Sequence, residues 1–211
     1  MNSTKAQGQF NIGNSSALNQ QVAIQEKEDT ELVELCKTQL PYVTQAFEEL
    51  VRRYEPVIFN TCRSIIGSRE DAEEVCQMVF LKVFNNIAKF QGRSSFKTWL
   101  FRITYNTCLT RRASLARKNE RKRQYISQYE GKTEAMPDDD VVVNDFGEGA
   151  TANAIAKLNE DDREILVLRF ISELALNEIA DAMELKLSAA KMRLYRAMDR
   201  FKEVYVKSEN P

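Results

Sequence analysis

From Phe90 to Asn106 the sequence runs Phe-Gln-Gly-Arg-Ser-Ser-Phe-Lys-Thr-Trp-Leu-Phe-Arg-Ile-Thr-Tyr-Asn, with aromatic rings interleaved with cations. That pattern suits a single-stranded nucleic acid, because ring faces stack on bases while cations follow the phosphates. Each stacked base contributes about 1–3 kcal/mol. The same spacing also suits a core helix with Phe96, Trp99, Leu100 and Ile103 turned inward, the commoner fate of aromatics at three- and four-residue intervals. Lys97, Arg102 and Asn106 have no such apolar role and stay candidates for contact with a ligand.

A second cluster lies near the end of the chain. Leu176 to Leu185, then Ser188 to Ala197, have the form of a helix-turn-helix in which small Ala180 lets two helices approach closely. Ile179, Leu185, Ala190 and Leu194 form the inner faces, and Ser188 is placed to cap the second helix. That helix then presents Lys191, Arg193, Arg196 and Arg200, groups that donate to guanine acceptors or to phosphates in a major groove. A helical hairpin with a merely solvated basic side fits the same residues, and the turn, Glu184-Leu185-Lys186, lacks the usual glycine.

Other chemistry finds little support. The chain has no histidine, which removes Ser-His and Cys-His hydrolases. Carboxylate or lysine chemistry stays open in principle, but no Gly-rich phosphate loop or other catalytic signature is present. Cys36, Cys62, Cys76 and Cys108 stand singly, without a CxxC pair, and read as reduced core residues rather than metal ligands. Neither a metal nor a cofactor is expected.

The elements that must position these residues follow from periodicity and charge. Apolar residues recur at helical spacing from Leu32 through Phe47, Leu50, Val75, Val79, Val83 and Trp99 to Cys108, and again from Asp161 to Phe170. Pro41, Gly67-Ser68 and Gln91-Gly92 mark helix boundaries. Strand signals are scarce; Val141-Val142-Val143 is too short and isolated to carry a sheet. Net charge is −1, but it is unevenly spread. Arg93 to Arg123 is cationic, Glu134 to Glu148 acidic, and Lys186 to Lys207 cationic again. The expected fold is therefore all-α: two small helical domains joined by a flexible acidic linker, the second a helix-turn-helix domain. The boundaries read as a disordered tail over 1–28, a helical domain over 29–118, a linker over 119–150 and the helix-turn-helix domain over 151–207. No apolar run is long enough to span a bilayer and the first residues lack the core of a signal peptide, so a cytoplasmic protein without membrane insertion is expected.

Three blocks in this order resemble a known family. Asp71-Ala72-Glu73-Glu74-Val75-Cys76-Gln77-Met78-Val79-Phe80-Leu81, then Phe96 to Ile103 with Asn106, then the helix-turn-helix, are similar to the conserved regions of extracytoplasmic-function sigma factors, over roughly residues 29 to 205. The resemblance implies a region 2-like first domain, a region 4-like second domain and partners in bacterial core RNA polymerase and promoter DNA, both duplex and melted. It also implies an anti-sigma factor. Asp71, Glu74, Gln77, Met78 and Leu81 then face the polymerase clamp. Arg93, Lys97, Arg102, Asn106, Arg111 and Arg112 meet the minus-ten element, with Asn106 beside a flipped-out base. Ser188, Lys191, Arg193, Arg196 and Arg200 meet the minus-thirty-five element. Two departures stand out: Met78 replaces an acid, and Ser188-Ala189-Ala190 replaces Gly-Thr-Val, with loss of one hydroxyl contact to DNA.

Two other readings use fewer of these features. A stand-alone helix-turn-helix regulator leaves the acidic helix and the Phe96 to Asn106 block unexplained. A protein-binding helical adaptor predicts no DNA contact even with polymerase present.

Overall fold

The computed structural model describes residues 22–129, 151, 154, 155 and 157–209, and every element among them is helical. One helical turn at 22–25 comes first, ahead of the expected onset at Asp29. Helix α1 spans Asp29–Gln39, α2 Gln45–Ile66 and α3 Arg69–Asn86, followed by a short 3-10 turn, Ile87–Lys89. Helix α4 spans Phe96–Tyr129, and α5 (Glu160–Phe170), α6 (Leu176–Ala182) and α7 (Leu187–Glu209) complete the chain.

Local chemistry explains where the helices start. Ser68 Oγ accepts the Asp71 N–H at 3.2 Å, satisfying a first-turn donor of α3, and Asn159 Oδ1 accepts the Asp162 N–H at 2.8 Å to open α5. Glu31 and Glu178 reach back to the N–H groups of Glu28 and Ala175. The apolar period then sets the packing. Leu32, Cys36, Leu50, Ile58, Val75, Val79, Leu100 and Phe101 are buried between α1, α2, α3 and the first half of α4. Ile165, Leu168, Ile179, Ala182, Leu194 and Ala197 are buried among α5, α6 and α7.

Helix α4 is about 50 Å long at 1.5 Å per residue. It extends to Tyr129, so residues 119–129, expected in the linker, continue the helix instead. Its first half lies in the core; from Arg117 to Ile126 every residue is exposed. Arg, Lys, Glu and Gln are good helix formers, and that is what extends the helix where no apolar stripe remains. The acidic stretch from Glu134 to Glu148 lies outside the described residues.

The two helical groups are packed together. α5 lies against α2 and α6 against α4, and the buried apolar residues of both groups form one connected cluster.

Candidate nucleic-acid interface

On α3, the residues expected to face the polymerase clamp lie on one stripe, as steps of three and four require. Glu74, Gln77 and Leu81 are exposed, Asp71 and Met78 half-buried, and Leu81 keeps 61 % of its surface. Two of these acids already have a partner. Arg111 on α4 donates through Nη2 to Asp71 and to Glu74, each at 2.6 Å. Those carboxylates stabilise the charged guanidinium and raise the pKa of Arg111. Arg111, expected at phosphates, ties α4 to α3 here.

The other minus-ten candidates divide in two. Arg93, in the loop before α4, and Asn106, on the helix, are exposed. Gly92 in that loop has φ +67, a left-handed conformation that glycine adopts without strain. The remaining cations meet the C-terminal helices. Lys97 Nζ donates to the Glu173 carbonyl at 3.2 Å, Arg102 pairs with Glu184 at 2.6 Å, and Arg112 pairs with Glu164 at 2.5 Å and Glu160 at 3.2 Å. The aromatics of this block are mainly structural. Phe96 is buried, and Phe90, Phe96 and Trp99 pack edge to face or tilted, with centroids 5.0–6.2 Å apart.

The helix-turn-helix is built from α6, a short turn and α7. Ile179, Ala180, Ala190 and Leu194 are buried as its inner faces require, and Leu185 is partly so. The position where glycine is usual is Glu184, whose φ is +55. An ordinary residue there costs about 1–2 kcal/mol. α7 begins at Leu187, so Ser188 lies exposed inside the first turn, not ahead of it as a cap. Of the basic side chains, Lys191, Arg196 and Arg200 are exposed and Arg193 is half-buried. Arg193 pairs with Asp161 at 2.6 Å and lies 3.8 Å from Glu164; Arg200 pairs with Asp162. Lys191 stacks over the exposed Tyr195 ring at 5.9 Å. Arg196 has no ion-pair partner among the described residues. It lines a polar cleft of about 820 Å³ between the start of α5 and α7.

Several residues at this site carry no sequence signal. Glu164 retains 2 % of its surface and receives the Tyr105 hydroxyl at 2.6 Å as well as Arg112 and Arg193. Burial, and then the Glu164 carboxylate, push the Tyr105 phenol well above its ordinary pKa. Glu178 accepts from Thr98 Oγ1 at 2.9 Å, and the buried Thr61 and Ser172 hydroxyls meet at 2.9 Å. Glu164 is one of four acids at the start of α5, with Glu160, Asp161 and Asp162, and nothing in that run reveals a partner 52 residues away.

All four cysteines are buried and free. Burial pushes Cys36 and Cys76 up to about 11, and the Cys108 sulfur together with burial holds Cys62 well above the usual thiol range. Such thiols are unreactive. Among the described residues no group of three or more Cys, Asp or Glu is placed to hold a metal ion, and no helix is long and apolar enough to cross a membrane. An apolar groove of about 470 Å³ opens between α5 and α7, lined by Leu166, Val167, Phe170, Met198 and Phe201.

Comparison with known proteins places these elements. The family model of Sigma-70 region 2 matches residues 50–118, and that of Sigma-70, region 4 matches residues 149–201. The chain is 28 % identical to the ECF RNA polymerase sigma factor SigW of Bacillus subtilis over 73 % of its length and 86 % of that protein's. It is 27 % identical to the ECF RNA polymerase sigma-E factor of Haemophilus influenzae over 74 % of its length and 85 % of that protein's. In fold it is similar to CnrH in the complex with the cytosolic domain of CnrY, with a TM-score of 0.59, 23 % identity and coverage of 83 % and 96 %. It is also similar to the sigma factor RpoE bound to the anti-sigma factor NepR from Bartonella quintana, with a TM-score of 0.57, 22 % identity and coverage of 77 % and 97 %.

Proposed function

This chain belongs to the sigma-70 family, in its extracytoplasmic-function group, and we propose that it binds core RNA polymerase and directs it to promoters through two readers carried on α4 and α7. The observation that carries this reading is the pairing of a region 2 domain and a region 4 domain in one chain, the second with exposed Lys191 and Arg196 on its recognition helix.

The stripe of Asp71, Glu74, Gln77, Met78 and Leu81 is the polymerase-binding face, where exposed Leu81 supplies apolar contact and the acids meet cations of the partner. Arg93 and Asn106 are the immediate minus-ten readers, with Lys97, Arg102, Arg111 and Arg112 available once their present partners release them. Asn106 lies on the exposed side of α4, where a base leaving the duplex is held by contacts that offset the few kcal/mol of flipping. Ser188, Lys191, Arg193, Arg196 and Arg200 serve the minus-thirty-five element. The apolar groove between α5 and α7, with Phe170 exposed at 61 %, is a second contact with polymerase.

The chain acts without catalysis of its own and works in the cytoplasm, where the polymerase is. An anti-sigma factor is part of the same reading. RpoE of Bartonella quintana, which shares this fold, was solved bound to one.

The test is transcription in vitro with core polymerase and a promoter library from the source genome, with and without the chain. Chain-dependent transcripts sharing a two-part upstream element are expected. A stable complex with core that yields no transcripts makes the chain an adaptor, and specific duplex binding without core makes it a stand-alone regulator.

A further inference from the structure

We infer that the exposed end of α4 is a third DNA contact, in which Arg117, Lys118, Arg121 and Lys122 hold phosphates of the duplex between the two promoter elements without reading its sequence. This rests on the promoter-reading function proposed above.

The four cations form one stripe. At about 100° per residue, Arg117, Arg121, Lys118 and Lys122 fall in that order within about 140° of the helix surface. All four are exposed, and none forms an ion pair among the described residues. Arg117 donates through Nε to the Ala113 carbonyl of its own helix at 3.1 Å. Glu120, the one acid of this segment, lies off the stripe and accepts from Gln124 at 2.8 Å. Arg117 with Arg121, and Lys118 with Lys122, are like charges four residues apart, a spacing that destabilises a helix. A polyanion laid along the stripe offsets that repulsion.

Place on the helix selects the partner. Asn106, Thr110, Ser114, Arg117 and Arg121 follow one another at steps of three and four and all are exposed, so an open line joins the minus-ten reader to the stripe. Helices α5 and α6 cover a different side of α4, through Thr98, Arg102, Tyr105 and Arg112. Asn106 to Lys122 spans about 24 Å at 1.5 Å per residue, the length of about seven base pairs at 3.4 Å each. Along the chain the stripe stands between Asn106 and the helix-turn-helix, and so over the duplex that separates their two elements. The family models end at residue 118 and resume at 149, which leaves Arg121 and Lys122 outside both.

Residue types narrow the partner further. From Thr107 to Lys122 the sequence has no aromatic residue, so the stripe lacks the stacking platforms of a single-strand site. Tyr125, an exposed ring, lies past the last of the four cations. Among the exposed residues from Asn106 to Gln124 none is large and apolar, unlike the anchors that centre a protein interface. Cations beside small side chains that allow close approach supply phosphate contact, which positions a protein without specifying bases.

The test compares the full chain with a variant carrying Arg117→Gln, Lys118→Gln, Arg121→Gln and Lys122→Gln. Gln is a good helix former and the replaced side chains are exposed, so circular dichroism and melting temperature should be unchanged. The first probe is a fluorescent duplex of arbitrary sequence, about 20 base pairs long, titrated from low salt upward. Affinity should fall about tenfold or more, and the slope of log affinity against log salt by about 2 to 4. Arg121→Gln and Arg123→Gln remove the same charge from opposite sides of α4; the first should weaken binding about threefold and the second should leave it unchanged. Equal loss from both makes the effect one of net charge and overturns the proposal. A larger loss on oligothymidylate than on the duplex makes the ligand a single strand and overturns it too.

With core polymerase, on a promoter recovered from the library, methylphosphonate linkages in the spacer next to the minus-ten element should shorten the open-complex lifetime about tenfold for the chain and leave that of the variant unchanged. A variant that loses affinity for core itself, rather than for DNA, makes the stripe a protein contact and overturns the proposal. Should the unmodified chain fail to initiate transcription, the sigma reading falls while the duplex titration still decides whether the stripe holds phosphates.

Discussion

Asn106 and Arg196 are the side chains on which the two readers can be separated, because both are exposed and neither has an ion-pair partner among the described residues. Asn106→Ala is expected to reduce open-complex formation while leaving the complex with core polymerase intact, as followed by fluorescence of a melted minus-ten strand. Arg196→Ala should cost about 1–3 kcal/mol at the upstream element and relax preference at one base position, measured by selection on randomised promoters. Glu49 makes a different prediction. It is 5 % exposed, and hydrogen bonds from Arg52, against desolvation and with help from Arg53, hold its carboxyl down to about 2. A depressed pKa in the folded state contributes stability that is present above the ordinary 4.5 and lost as pH falls toward 2. Denaturant unfolding at pH 7 and pH 3 should show Glu49→Gln less stable by roughly 1–3 kcal/mol at pH 7, with the gap closing in acid. Cations at 93–112 and 191–200 were legible as residue types in the sequence. Their partners were not, since Glu164 and Glu184 reach α4 only through packing of elements 50 to 80 positions away.

The helices themselves were legible wherever an apolar stripe repeats every three to four residues, and so was the Ser68 start of α3. Failure came where that signal ends. Beyond Leu115, α4 carries almost only charged and polar residues, so periodicity stopped at Lys118 while helix propensity continued to Tyr129. At the helix-turn-helix, the hydroxyl of Ser188 suggested a cap, but the helix opens at Leu187, two residues ahead of the start that a Ser188 cap gives, after a turn that Glu184 makes in a left-handed conformation. The α3 stripe leads to a prediction at this scale. Leu81 keeps 61 % of its surface in the free chain, so Leu81→Ala should leave the melting temperature within about 1 °C, the change expected of a surface substitution. It should weaken binding to core by about 1–2 kcal/mol, the cost of truncating an apolar anchor at an interface. A large fall in melting temperature would instead make Leu81 structural.

At the scale of the whole molecule, two helical domains and their order could be read from motifs and charge blocks, whereas their docking could not. Nothing in the sequence of α5 distinguishes Glu164, buried under three donors, from the exposed Glu160 one turn earlier. If affinity comes from two readers engaged at once, free protein should bind duplex promoter DNA weakly and gain affinity only when polymerase supplies a second contact. The central claim is that this chain confers promoter choice on core polymerase through two elements. Run-off transcription measures it most directly, on one promoter taken from the library and on two derivatives with either the upstream or the downstream element scrambled. The account predicts no transcript without the chain, a strong transcript with it, and loss of most of that transcript when either element is scrambled. Equal transcription from all three templates, or transcription that does not depend on the chain, would contradict it.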